Sequence, residues 1–347
     1  MTMYPLKFRP VFKEKVWGGD RLRQFHRDLP RNTEHPIGES WEITDLPEGQ
    51  STVANGPLEG TTLAAVIETY GQELLGDLNL TKKGRFPLLL KFLDARENLS
   101  VQVHPDYPYS ERHPEADPKY EAWYILHAEP GGRIYRGIRP GVSRDAFRRA
   151  IEENRSVEDL LNEIPVKAGE CYYLPGGTCH ALGAGVAVIE AQTPSDTTYR
   201  VYDWGRTSRE LHIEQAMAVM RFDDQAEAIE GESSARPRPV AEERRRHIGG
   251  PLVTVSRLCT ANEFTIEKIR MSEGYQQELP YQRPAVWVVL SGRGQITGTP
   301  AGIDVGFGPY DVMLLPAEMP DARVELTEDS VWLDIQFPTP WHPAKLA

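Results

Sequence analysis

Residues 170–204, ECYYLPGGTCHALGAGVAVIEAQTPSDTTYRVYDW, hold three short apolar runs, at 170–174, 186–191 and 199–204. Turns rich in glycine, proline, serine and threonine separate them. Runs of this length bounded this way are strand signals. Working outward, residues 88–93, 100–104, 122–127 and 133–138 read alike, and so do 264–271, 285–290, 295–297, 311–315 and 331–337 further on. Only three segments carry helical spacing. Residues 61–75 place Leu63, Val66, Ile67, Tyr70 and Leu74 on one face, with Thr61 or Thr62 as cap. Residues 143–164 read as two helical pieces, the first capped by Ser143 and the second opened by a capping box at 156–159 and ended by Pro165. Residues 210–220 form the third. Many strands with few helices argue a mainly β chain, a sandwich or barrel and not a βαβ sheet.

The chain has 347 residues, enough for two domains. Residues 223–250 are polar and charged, with few large apolar side chains, and read as a linker or surface excursion. That divides the chain into 1–222 and 251–347. No histidine lies between Ile248 and Trp341, so a metal site is expected in the first part. Lys and Arg number 39 against 51 Asp and Glu, a formal charge of −12. A general nucleic-acid binder would carry a basic footprint instead. An anionic substrate would need a local cluster of cations. Apolar runs fall far short of the roughly 20 residues that span a membrane. The first residues show no signal-peptide pattern, and three cysteines make no disulfide framework. The expectation is a cytoplasmic protein with buried free thiols.

In Ser100-Val-Gln-Val-His104 the residue types alternate. A strand there puts Ser100, Gln102 and His104 on one face and Val101 and Val103 on the other. Lys119 and Glu121 share a face at the start of another strand. His180 follows the tight turn at 175–179 and enters a third. Gln102, His104, Glu121 and His180 together offer oxygen and nitrogen donors suited to zinc or another borderline divalent metal.

SVQVHPD (100–106), the K-x-E-x-W of 119–123, PGGTCHALG (175–183) and IEAQTPSDTTYRVYDWGR (189–206) resemble the type I mannose-6-phosphate isomerases. So do VWGGDRL (16–22) and GESWEI (38–43). The resemblance is to their short bacterial form, zinc-dependent enzymes of the cupin superfamily that interconvert mannose 6-phosphate and fructose 6-phosphate. It implies two cupin-type jelly-roll β-barrels with a few peripheral helices, the first catalytic and metal-bearing, the second degenerate. It also implies one Zn²⁺ per chain, held by Gln102, His104, Glu121 and His180. Arg200 is implied as an active-site cation, Lys119 as a lining lysine, and Ser100, Lys91 and Arg206 as phosphate-binding groups.

Aldose–ketose isomerisation needs a proton moved between carbon 1 and carbon 2 through an enediolate. Glu190, which shares a strand face with Val186 and Val188, is the preferred base, with Lys119 second. Structural alternatives exist: Glu190 could pair with Arg200, and Lys91 with Asp94 or Glu42. The expected partner is a small sugar phosphate of carbohydrate metabolism, with no nucleic acid or membrane, and the chain a monomer or homodimer. Two other functions compete. One is a sugar-phosphate-binding cupin without turnover. The other is an oxidative iron or manganese cupin, disfavoured because Gln102-x-His104 replaces a His-x-His pair.

Overall fold

The computed structural model describes residues 3–26, 28–222, 252–279 and 282–338, so the expected linker at 223–250 lies outside the described residues. These residues form two compact units, mainly of antiparallel strands.

In chain order, the strands with all or part of their residues in the first unit are β1 (Val11–Glu14), β2 (Ile37–Ile43), β3 (Leu89–Ala95), β4 (Val101–Val103), β5 (Glu121–Ala128) and β6 (Arg133–Ile138). They continue with β7 (Leu161–Pro165), β8 (Cys171–Leu174), β9 (His180–Leu182), β10 (Val186–Gln192) and β11 (Tyr199–Tyr202). A six-stranded sheet runs β8-β5-β10-β3-β2-β1, and a five-stranded sheet runs β7-β6-β9-β4-β11. Every residue of β2, β3 and β10 is buried, as the near-continuous apolar runs of β3 and β10 require of strands covered on both faces, while β2 also buries Glu39, Ser40 and Glu42.

Alternation along the five-stranded sheet sorts its residues between two cores. Val101, Val103, Tyr135, Ala181 and Val201 pack outward with Phe147, Ile151 and Met217. Those partners lie on two amphipathic helices, α2 (Arg144–Glu152) and α3 (Ile213–Val219), while α1 (Leu63–Leu75) belongs to the second unit. On the opposite face, Ile134 and Leu182 join Leu93, Trp123, Ile125, Val186 and Val188 of the six-stranded sheet in an inner core. Ser100, Gln102 and His104, out of phase with the two valines of β4, therefore turn toward that interior. Cys171, Cys179 and Cys259 are buried free thiols, and burial pushes Cys171 up to about 12.

Two helix starts follow the sequence closely. Thr62 Oγ1 accepts from the Ala65 amide at 3.3 Å, and Ser143 Oγ from the Ala146 amide at 3.2 Å. The second helical piece expected after residue 155 is absent. Residues Glu158–Leu160 make one 3₁₀ turn, and Leu161–Pro165 is strand β7. Pairing decided this: Ile164 lies opposite Ile134 and Leu161 opposite Ile138, so edge pairing with β6 buries those side chains better than a free helix would.

The second unit comprises the described residues of 3–11, 41–88 and 252–338. A five-stranded sheet takes Val253–Thr260, Thr265–Met271, Ser330–Gln336, Ala285–Ser291 and Val312–Leu315 in that order. A four-stranded sheet takes Gln276–Glu278, Arg323–Leu326, Gly294–Thr297 and Val305–Phe307. Trp287 and Trp332 pack with ring centroids 4.7 Å apart in its core. The division differs from the expected one at residue 222, because two N-terminal segments join this unit. Leu6 and Leu314 exchange backbone hydrogen bonds at 2.9 Å, and Leu74 and Glu73 of α1 accept from Ala317 and Glu318 at 3.0 Å. Among the described residues no helix is long and apolar enough to cross a membrane.

Candidate metal centre and active site

Strand register brings the expected ligands together inside the first unit. His180 of β9 stands directly opposite Gln102 of β4, and Gln102 stands opposite Arg200 of β11. Directly opposed residues of neighbouring strands share a face. Glu121 opens β5 in the facing sheet, opposite Gln192 of β10 and Leu174 of β8. His104, Glu121 and His180 are all buried, and one donor atom from each lies within 4.8 Å of the others.

The hydrogen bonds of the two imidazoles show what that group is built to hold. His104 Nδ1 lies 3.0 Å from the Thr197 carbonyl oxygen, and His180 Nδ1 lies 2.9 Å from that of Thr178. A carbonyl only accepts, so each Nδ1 carries a proton, and in the neutral ring Nε2 presents a lone pair. Burial, then the Lys119 ammonium, push His104 down to about 3, which keeps it neutral. Its Nε2 sits 3.3 Å from Glu121 Oε1, and His180 Nε2 sits 3.4 Å from Glu121 Oε2.

These are ion-pair distances, yet His104 Nε2, His180 Nε2 and Glu121 Oε2 have no hydrogen-bond partner. Lone pairs face lone pairs. Burial works to raise the Glu121 carboxyl, but the Lys119 ammonium beside it outweighs that and holds it well below the usual carboxylate range. Acceptors buried against acceptors are costly unless a cation lies between them. Two donors each about 2.0–2.2 Å from one tetrahedral zinc stand roughly 3.3–3.6 Å apart, the range in which each imidazole lies from its nearer Glu121 oxygen, either of which can serve as the carboxylate donor. The residues fit a zinc-sized cation. Half-buried Gln102, in register beside His180, is suitably located for a fourth donor.

The remaining expected residues divide into two groups. Lys119 Nζ reaches Glu121 Oε1 at 2.9 Å and so touches the ligand set. Lys91 and Glu190, expected in separate roles, are paired with each other at 3.0 Å and buried. Glu190 faces Lys91 across β10 and β3, so strand register brings the two together. The second oxygen of Glu190 accepts from Trp123 Nε1 at 2.8 Å, and the Trp123 indole packs edge-on to His180 at 5.3 Å. Burial works against the Lys91 ammonium, but Glu190, Glu39 and Glu121 more than offset it and raise its pKa.

Arg200 donates from Nη1 to the Glu210 carbonyl at 2.9 Å, while its buried Nε has no partner. Burial, then the neighbouring Arg209, lower its pKa. Arg206 binds Asp203, Glu97 and the Asn98 carbonyl, and Arg209 binds Asp203 with two bonds of 2.9 and 2.6 Å. Ser100 is buried just before β4. Sequence reasoning passed over Trp123, Arg209 and the carbonyls of Thr178 and Thr197. The tryptophan of K-x-E-x-W was the one available signal, since carbonyl partners leave no trace in residue identity.

The turn before His180 depends on glycine. Gly177 has φ of +84°, and a Cβ there would lie 2.8 Å from Arg221 Nε and 2.9 Å from the Val219 carbonyl oxygen. Gly177→Ala should lower stability by at least about 1–2 kcal/mol from the left-handed backbone alone, and should reduce zinc content because His180 follows three residues later. Urea midpoints and elemental analysis check this, and an unshifted midpoint would show the turn to be unconstrained.

Two antiparallel sheets enclosing two imidazoles and a carboxylate define a cupin-type metal-binding β fold. The family profile described as phosphomannose isomerase type I, catalytic domain, matches residues 5–127. A mannose-6-phosphate isomerase of Streptococcus mutans is 38% identical over 301 residues, covering 84% of this chain and 87% of that protein. The chain belongs to the mannose-6-phosphate isomerase family. The crystal structure of the mannose 6-phosphate isomerase from Bacillus subtilis is similar with a TM-score of 0.81 and 30% identity, covering 96% of this chain and 100% of that one. A more distant structure, a zinc-bound holo mannose 6-phosphate isomerase, shares the fold at a TM-score of 0.70 and 15% identity, over 96% of this chain and 99% of that one.

Proposed function

We propose that the chain interconverts mannose 6-phosphate and fructose 6-phosphate, with one zinc ion held by His104, Glu121, His180 and Gln102. The observation that carries this reading is the pair of Nε2 lone pairs facing the two oxygens of Glu121. A divalent metal there supplies Lewis-acid stabilisation of negative charge developing on oxygen.

The chain's own residues do the rest. The reaction shifts a proton between carbon 1 and carbon 2 of the open-chain sugar by way of an enediolate. Arg200, anchored by the Glu210 carbonyl and in register beside Gln102, contributes fixed positive charge next to that species. Lys119 is the preferred proton carrier, because it contacts Glu121 directly. Glu190 yields that role, since Lys91 and Trp123 occupy both its oxygens. Lys91 likewise leaves the phosphate to other cations.

The phosphate is assigned to Ser100 and to the two arginines bound to Asp203, Arg206 and Arg209. Arg206 and Arg209, both near Arg200, form the local cluster of cations that the chain's charge of −12 requires of an anion site. Binding energy from that remote group helps fix the reacting carbons.

Chelation tests the proposal. A strong chelator should abolish turnover of mannose 6-phosphate, and added Zn²⁺ should restore it. Undiminished turnover in metal-free protein would overturn the reading, and zinc binding without turnover would make the chain a sugar-phosphate-binding cupin.

A further inference from the structure

The two histidines of the metal group are oriented in different ways. His180 donates to the carbonyl of Thr178, two residues earlier in its own turn. His104 donates to the carbonyl of Thr197, 93 residues further along the chain. The first contact is local. The second exists only if the segment after β10 is held in place by tertiary contacts.

Gln192, the last residue of β10, anchors that segment. It is fully buried, and its Nε2 donates to the Thr193 carbonyl at 2.9 Å and the Ser195 carbonyl at 2.6 Å. Both N–H groups are thereby used, which fixes the amide orientation. Its Oε1 is buried with no hydrogen-bond partner. Leaving an amide oxygen unsatisfied carries a folding cost. Such a cost in a buried residue calls for a reason, and here the two donors supply it.

From Ser195 the tethering continues. Ser195 Oγ donates to the Asp117 carbonyl at 3.1 Å and accepts from the Thr197 amide at 3.2 Å. Thr197 Oγ1 accepts from the Asp117 amide at 3.3 Å. Gln192 also stands directly opposite Glu121, so one residue adjoins the carboxylate ligand and governs the support of a histidine ligand.

We propose that Gln192 is a positioning residue of the metal centre, acting on His104 by fixing the Thr197 carbonyl that holds its Nδ1–H. The proposal rests on the assignment of His104 as a zinc ligand. Partners of this kind fix the ring orientation and tautomer of a ligating histidine, and losing one weakens metal binding by about 10–100-fold.

The test is Zn²⁺ affinity, measured by competition with a chromophoric chelator on the full chain. Gln192→Met, of similar length but without donors, should bind Zn²⁺ about 10–100-fold more weakly than the parent. In a His104→Ala background the same substitution should weaken binding by less than about twofold, since its route of action is gone. Ser195→Ala loosens the same segment from a second point and should show the same dependence on His104; it carries the test if Gln192→Met does not fold. Unchanged affinity in the folded variant, or equal weakening with and without His104, overturns the proposal. Failure of the parent protein to bind Zn²⁺ would instead overturn the metal assignment, so the two failures are distinct.

Discussion

Glu190→Leu should destabilise the protein by about 3–5 kcal/mol, the usual consequence of stranding one member of a buried ion pair. Lys91 would keep its charge inside the six-stranded sheet and lose the Glu190 carboxylate at 3.0 Å. Trp123 Nε1 would lose its acceptor as well. The double substitution Lys91→Met with Glu190→Leu should recover most of this, because replacing a whole buried pair by apolar side chains is often neutral. What remains is the unpaired indole N–H, about 1–3 kcal/mol. Urea unfolding of the single and double variants measures both quantities. Turnover in the double variant then decides the chemistry. Activity within about tenfold of the parent, short of the 10²–10⁴-fold that loss of a general base costs, makes the pair a support for Trp123 and His180. A stable double variant without turnover would return Glu190 to the role of base.

Lys119→Met should lower kcat by about 10²–10⁴-fold, the range for losing a general acid or base, while zinc content stays near that of the parent. Zinc should persist because His104, Glu121 and His180 remain, with Glu121 losing only the ammonium at 2.9 Å. Elemental analysis beside steady-state kinetics separates the two effects. A fall of less than tenfold with zinc intact would remove Lys119 from the proton transfer.

The legible parts of the sequence were those governed by local rules. Alternation in Ser100–His104 identified the inward face of β4, because strand geometry fixes side-chain direction with a period of two. Thr62 and Ser143 as caps were equally readable, since a cap acts within three residues. The arrangement of Lys91, Glu190 and Trp123 was not. It depends on the register of β3 against β10 and of β10 against β5, strands separated by long stretches of chain. A lysine within an apolar run and a glutamate within another give no hint that they meet. Residues 156–164 failed for a related reason: Ser156 Oγ accepts from the Glu158 amide at 3.2 Å, but the turn that follows has no side-chain cap, and pairing with β6 won after that one turn. The grouping of residues 41–88 with the C-terminal strands likewise rests on contacts such as Leu74 with Ala317, invisible to composition.

The two valines of β4 belong to the helix-covered core, while Gln102 between them and His104 beside them are out of phase with them, His104 within the metal group. Losing or gaining a single amino acid inside that strand would therefore exchange the two sets, presenting methyl groups to the ion and an imidazole to the helices. Inheritance of this strand is then constrained first in its length. A frame-preserving deletion there should be far more harmful than any conservative replacement of Val101 or Val103.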